Sequence, residues 1–168
     1  DAVEDIAVYK QELENRFVKY GTTGLRAIAI CYKLIDTNSI SKDIESDMVF
    51  AGFILMNDPV KSDIISTIEE LRKLKVGLKI ITGDNVNVAK SIALTIGIKE
   101  PVIMTGKELF STSPEALKQL VKRTHIFAEV EPQQKERIIL ALKKTYKVAY
   151  MGDGINDVSA IKAADIGI

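Results

Sequence analysis

Three short stretches carry residue types that could do chemistry together. The first is Gly152-Asp153-Gly154-Ile155-Asn156-Asp157, directly after the apolar, β-forming run Tyr146–Met151. Two carboxylates with an amide between them make an oxygen-rich site. Such a site suits Mg²⁺, a hard cation that keeps several waters and usually binds alongside phosphate. Gly152 and Gly154 let a ligand approach the backbone closely. A solvated turn is the competing reading, because Gly, Asn and Asp are the commonest turn residues. The position of the whole run at a strand end favours function, since ligands of open α/β sheets sit at the carboxyl ends of strands. The second stretch is Thr82-Gly83-Asp84-Asn85, where a hydroxyl and an amide precede a helix and could cradle phosphate. Taken alone, Asp84 or Asn85 as N-cap of the helix from Val86 is the more ordinary account. The third is Glu129-Val-Glu-Pro-Gln-Gln-Lys135. Lys135 lies in the first turn of a helix, where a cation opposes the dipole. A surface lysine explains that placement, and so does a lysine reaching for a phosphate. One hydroxyl, one lysine and two carboxylates at one sheet edge form a phosphoryl-transfer inventory. A covalent route also needs a nucleophile such as an activated carboxylate. Asp36, Asp43, Asp47 and Asp58 all lack the context expected for one.

The elements that must position these residues follow from apolar spacing. Residues 2–20 read as a helix stopped by Gly21 and Gly24, 25–34 as a strand, 36–47 as a polar loop and 48–56 as a second strand. Cys31, in the run Ala-Ile-Cys-Tyr, reads as a small core residue. From Lys61 the period changes. Ile64, Ile65, Ile68, Leu71 and Leu74 mark a helix face, with Gly77 as its stop. Strands are expected at 78–82, 102–104, 126–128 and 146–151. Helices are expected at 86–96, 114–121, 132–144 and 158–164, with Pro132 in a first helical turn. Strands alternating with helices over short loops imply an α/β fold with a mostly parallel sheet. The first 57 residues lack that rhythm, so a boundary falls at Asn57-Asp58-Pro59, giving 1–57 and 58–168. His125, at a strand start, reads as structural.

Composition narrows the function classes. The 168 residues carry 23 Lys and Arg against 23 Asp and Glu. That balance provides no basic field and argues against nucleic-acid binding as the main role. The single cysteine excludes a disulfide within the chain and points to a reducing compartment. No apolar run reaches the roughly 18–20 residues that span a bilayer. The chain opens inside an amphipathic pattern and closes on what reads as a starting strand, as a piece of a longer protein would.

Taken together, the motifs resemble the cytosolic catalytic part of P-type cation-transporting ATPases, within the haloacid dehalogenase-like superfamily. The resemblance rests on Asp58-Pro59-Val60-Lys61, Thr82-Gly83-Asp84-Asn85, Phe127–Pro132 with Lys135, Gly152–Asp157, and Ala164-Asp165-Ile-Gly-Ile. Gly24-Leu25-Arg26 with Ala27-Ile28-Ala29 looks like the family's late nucleotide-domain segment. It implies a Rossmann-like, haloacid dehalogenase-like fold. Residues 1–57 would be the C-terminal part of the nucleotide-binding domain, 58–168 the phosphorylation domain, and Asp58 and Pro59 the hinge.

The resemblance also implies roles. Asp153, with Asp157, would ligate Mg²⁺, and Asn156 and Asp157 would hold the phosphorylation site by hydrogen bonds. Thr82 and Gly83 would bind phosphoryl oxygens, and Asp84 would support nucleotide or metal geometry. Lys135 would neutralise the transferring phosphate, and Arg26 would contact ATP phosphates. Lys61 stands where the family often has Arg, which removes a bidentate contact. The family's nucleophile motif, Asp-Lys-Thr-Gly-Thr, is absent from this sequence, so the stretch should not form a phospho-aspartate by itself. The implied partners are ATP, a cation carried by membrane helices elsewhere in the polypeptide, and the rest of that polypeptide, at the cytoplasmic face of a membrane. Residues 78–168 look closest to the magnesium-transporting branch. A soluble haloacid dehalogenase-like phosphatase and a non-catalytic nucleotide-binding module are the alternatives.

Overall fold

The computed structural model describes residues 3–36, 41–152 and 154–168. It divides into two compact units, Asp1–Pro59 and Val60–Ile168.

In the first unit a 3-10 turn at Ile6–Val8 leads into helix α1, Lys10–Thr22. The turn starts the chain's helical period later than expected, and Gly21 lies inside α1. Strands β1 (Arg26–Tyr32) and β2 (Val49–Met56) pair antiparallel, from Arg26 opposite Met56 to Tyr32 opposite Val49. The register shifts between Ile30 and Cys31. Side chains alternate across such a ribbon. The Phe53 ring meets Phe17 and Tyr20 of α1 at centroid distances of 6.3 and 5.8 Å. On the other face Ile28, Ile30, Tyr32 and Ile54 are exposed. Cys31 is exposed as well, against the core placement expected for it. A two-stranded ribbon with one helix against it has too little material to enclose both faces.

The second unit contains helices α2 (Ile64–Lys73) and α3 (Val86–Thr95), with the two-residue strand β3 (Ile80–Ile81) between them. Then follow β4 (Ile103–Thr105), α4 (Gly106–Ser111), α5 (Pro114–Arg123), β5 (Ile126–Ala128) and α6 (Pro132–Lys143). The chain closes with β6 (Ala149–Tyr150), a 3-10 turn at Ile155–Asp157, α7 (Val158–Ala163) and β7 (Ile166–Gly167). Among the described residues the strand order is β3-β5-β4 in one parallel sheet and β6-β7 in another.

The alternation of strand side chains explains the layering. Ile126 and Ala128 of β5 pack with Ala89 and Ala93 of α3. Phe127, between them, points the other way, into a cluster with Leu109, Leu117, Val121, Ile138 and Leu142 from α4, α5 and α6. One strand with two buried faces thus fixes helices on both sides of the sheet, as a parallel sheet requires. A third cluster joins Ile139 of α6, Tyr150 of β6 and Ala160 of α7, with Ile81 of β3 against it.

Three local features depart from the sequence expectations. Helix α2 stops before Gly77: Lys75 takes the left-handed conformation (φ 60), and Val76 N–H returns to the Leu71 carbonyl at 2.9 Å. This is the paired-bond stop that helices normally build on glycine. Helix α4 was not expected. It is started by a reciprocal capping pair, with Glu108 N–H on Thr105 Oγ1 and Thr105 N–H on Glu108 Oε2. Its C-terminal carbonyls are collected by Arg137, whose guanidinium donates to the Leu109 and Thr112 oxygens. Finally, β3 and β6 are only two residues long. Each has a strand partner on one side among the described residues. His125 is structural, its Nδ1 accepting the Val102 N–H at 3.0 Å.

Candidate active site

The site lies where β3, β5 and β6 end. After β3 the chain turns through Thr82-Gly83-Asp84 into α3, whose N-cap is Asn85: its side chain accepts the Val88 N–H at 3.0 Å. The turn after β5 is laced to this one. Val130 N–H donates to the Thr82 carbonyl (3.1 Å) and Glu129 N–H to that of Asp84 (2.9 Å). Glu129 is left-handed (φ 55), a conformation costing a non-glycine residue roughly 1–2 kcal/mol. In that pose its carboxylate accepts the Val86 N–H at the start of α3, at 3.3 Å.

The third loop follows β6. Asp165 secures its base, accepting the Val148 N–H at 2.9 Å and pairing with Lys143 and Lys147 at 3.6 and 3.7 Å. These contacts hold the Asp165 carboxyl below the ordinary carboxylate range, the Val148 hydrogen bond foremost. Gly167 of β7 runs so close to α7 that a Cβ there would lie 2.5 Å from Ile161 Cγ2. Gly152 is required for the same kind of reason: a Cβ there would stand 2.6 Å from Asp157 Cβ and 3.0 Å from Asp157 Oδ2.

These loops border an open cleft of about 500 Å³ lined by Thr82, Gly83, Lys135, Tyr150, Gly152 and Asp157, with Ile81, Met151 and Ile168 completing its wall. Lys135 and Asp157 form its polar centre. Both side chains are nearly buried, and Lys135 Nζ donates to Asp157 Oδ1 at 2.8 Å. The lysine that opposes the α6 dipole therefore has a carboxylate beside it. Tyr150 Oη donates to the same oxygen at 2.5 Å. Burial pushes the Asp157 carboxyl upward. The hydrogen bonds from Lys135 and Tyr150, the lysine charge and a Gly154 N–H outweigh it, leaving the group below the ordinary carboxylate range. Burial, reinforced by that carboxylate, drives the Tyr150 phenol well above its ordinary value.

The expected site residues divide accordingly. Thr82, Gly83, Lys135 and Asp157 share the cavity. The Thr82 hydroxyl is turned back onto its own loop: it donates to Asp84 Oδ2 and accepts the Asp84 N–H, both at 3.1 Å. Asp84 supports the loop in this way and does not line the cavity. Asn156 is exposed and outside it, Lys61 is exposed, and Arg26 begins β1 in the first unit. Asp153 lies outside the described residues. Tyr150 was missed by sequence reasoning. As an aromatic in an apolar run it reads as core, and its ring is core, but its hydroxyl belongs to the site.

Among the described residues no helix is long and apolar enough to cross a membrane. The family model for haloacid dehalogenase-like hydrolases matches residues 9–165. The chain belongs to that family. Its α/β fold, with helices flanking a parallel sheet, is the fold of these hydrolases. The chain is 35% identical over 148 residues to a magnesium-transporting P-type ATPase of Escherichia coli (strain K12), covering 86% of this chain and 16% of the relative. It is 34% identical over 155 residues to a calcium-transporting ATPase of Listeria monocytogenes, covering 89% and 18%. It is 32% identical over 170 residues to a cation-transporting ATPase of Synechocystis, covering 97% and 19%. The chain thus spans less than a fifth of the length of these relatives.

The donor set is compatible with one Mg²⁺ held alongside phosphate. Mg²⁺ bound next to phosphate needs one or two carboxylates and keeps waters in its other positions. Asp157 brings one carboxylate to the cavity, and the glycines at 83 and 152 leave backbone exposed beside it.

Proposed function

We propose that this chain is part of an ATP-driven cation pump, in which the γ-phosphoryl group of ATP passes to a carboxylate outside these residues and the aspartyl-phosphate is then hydrolysed. The observation that carries the reading is the cavity at the strand ends, where a lysine, a buried carboxylate and two glycine-containing loops converge. The pumps among its relatives favour this reading over a soluble phosphatase.

In this reading Val60–Ile168 is the phosphorylation domain and the first unit is the back part of a nucleotide-binding domain. Asp157, with Asp153, would hold Mg²⁺, which when bound would neutralise charge on the phosphate oxygens. Gly83 N–H and the Thr82 hydroxyl, once released from Asp84, would donate to phosphoryl oxygens, and Lys135 would place a positive charge beside them. Asp84 would keep the Thr82 turn in shape, Asn156 would face the acceptor segment, and Arg26 would meet ATP phosphates. Relatives named for magnesium and for calcium match at nearly equal identity. These names support a divalent cation as the cargo, with Mg²⁺ the first to test. Its place is the cytoplasmic face of a membrane.

The test is phosphoenzyme formation from γ-labelled ATP in the complete polypeptide. Asp153→Asn is expected to abolish it or its Mg²⁺ dependence, because the metal loses a charged ligand. Wild-type phosphoenzyme at an unchanged Mg²⁺ requirement would defeat the metal assignment. The 168-residue chain alone is expected to show no ATP turnover.

A further inference from the structure

From the two donors that meet on one oxygen of Asp157, we infer that Tyr150 is a positioning residue, holding the carboxylate so that Oδ2 is the oxygen offered to a divalent cation. The inference rests on the reading of this cavity as a Mg²⁺–phosphate site and deepens it.

A carboxylate has roughly four acceptor positions, two on each oxygen. Lys135 Nζ at 2.8 Å and Tyr150 Oη at 2.5 Å fill both positions on Oδ1. The Gly154 N–H takes one more. At least one position on Oδ2 therefore stays open, next to Gly152, which has no side chain of its own to cover it.

Lysine alone would not fix this arrangement. Its ammonium sits on a flexible four-carbon stem with rotatable donors, so it follows Oδ1 and does not hold it to one position. The tyrosine is different in kind. Its ring is held in the cluster formed with Ile139 of α6 and Ala160 of α7. Its backbone is held in β6, the carbonyl accepting the Ile168 N–H at 2.9 Å. The residue is 8% exposed, so its hydroxyl is a fixed point and the hydrogen bond pins Oδ1 to it. A phenylalanine would fill the same core volume without this device, which separates the positioning role from packing.

The test uses the 168-residue chain with Mg²⁺ alone as probe, titrated by calorimetry and by amide NMR. Wild type should bind saturably, with shifts centred on Gly152 and Gly154, and Asp157→Asn should lose that binding. Tyr150→Phe should weaken Mg²⁺ binding about three- to tenfold while its melting temperature moves little. With ¹³Cζ-labelled tyrosine, the Tyr150 resonance of the wild-type chain should shift on Mg²⁺ saturation and in Asp157→Asn, a readout that needs no substitution at position 150. Unchanged Mg²⁺ affinity in Tyr150→Phe together with a Tyr150 resonance indifferent to Mg²⁺ overturns the inference and leaves the site standing. Absence of saturable binding at Gly152 and Gly154 in wild type, or full binding by Asp157→Asn, overturns the site and the inference with it.

Discussion

Lys135 Nζ and Asp157 Oδ1 lie 2.8 Å apart with about a tenth of either side chain exposed. Each is placed where it would be costly alone: the lysine against the positive end of α6, the carboxylate among buried groups. Removing one partner of such a pair strands the other, at a cost of about 3 kcal/mol. Lys135→Met should therefore lose about that much in urea denaturation. Combining it with Asp157→Asn should lose less than the sum of the single changes, with a coupling of about 1–3 kcal/mol. An additive cycle would show that the two groups do not sense each other.

Glycines in this chain divide by what a methyl group would meet. At Gly152 a Cβ would enter the space of Asp157 Cβ and Cγ, at 2.6 and 2.8 Å. Overpacking of that kind costs about 1–3 kcal/mol, so Gly152→Ala should be destabilised and should displace the carboxylate. At Gly77 a Cβ would meet nothing within 4 Å, and the backbone is not left-handed. Gly77→Ala should be stabilised by about 0.4–1 kcal/mol, because the unfolded chain loses freedom. Thermal melts of both variants decide the matter, and the same sign for both would contradict the geometry.

Much of this architecture was legible because parallel sheets write a strong pattern. Ile126-Phe127-Ala128 is a short apolar run between helical periods, and it is the strand with both faces buried. Thr82, Lys135 and the Gly152–Asp157 loop were legible as site candidates because each follows a strand. What escaped notice depends on contacts distant in sequence or on signals shorter than a period. Tyr150 looks apolar until Asp157 is brought to its hydroxyl. Thr82 looks free until Asp84 folds back onto it. Gly77 looked like the stop of α2, but Lys75 takes the left-handed turn instead, two residues earlier. Cys31 sits in an apolar run, yet the ribbon leaves it exposed, which an apolar run alone does not reveal. Helix α4 had a signal, since Thr105-Gly-Lys-Glu108 matches the capping pattern of a hydroxyl followed three residues later by Glu. Its six residues were too few to show a period.

That capping pair makes a prediction about pH. Hydrogen bonds from the Thr105 N–H and then from its hydroxyl hold the Glu108 carboxyl below the ordinary range, against a small opposing effect of burial. The folded chain therefore binds this proton less readily than the unfolded chain. The stabilisation is fully present above the unfolded value of about 4.3 and is lost as pH falls through the lower folded value. Glutamine can occupy the same capping position without titrating. Between about pH 5 and pH 3, wild type should lose more stability than Glu108→Gln, the two curves converging in acid. Thr105→Ala removes the hydroxyl cap and should cost about 1 kcal/mol at neutral pH. Its acid dependence should be shallower than wild type, because one of the bonds that depresses the carboxyl is gone. Parallel curves for wild type and Glu108→Gln across that window would mean that the Thr105–Glu108 bonds are too weak in solution to start α4.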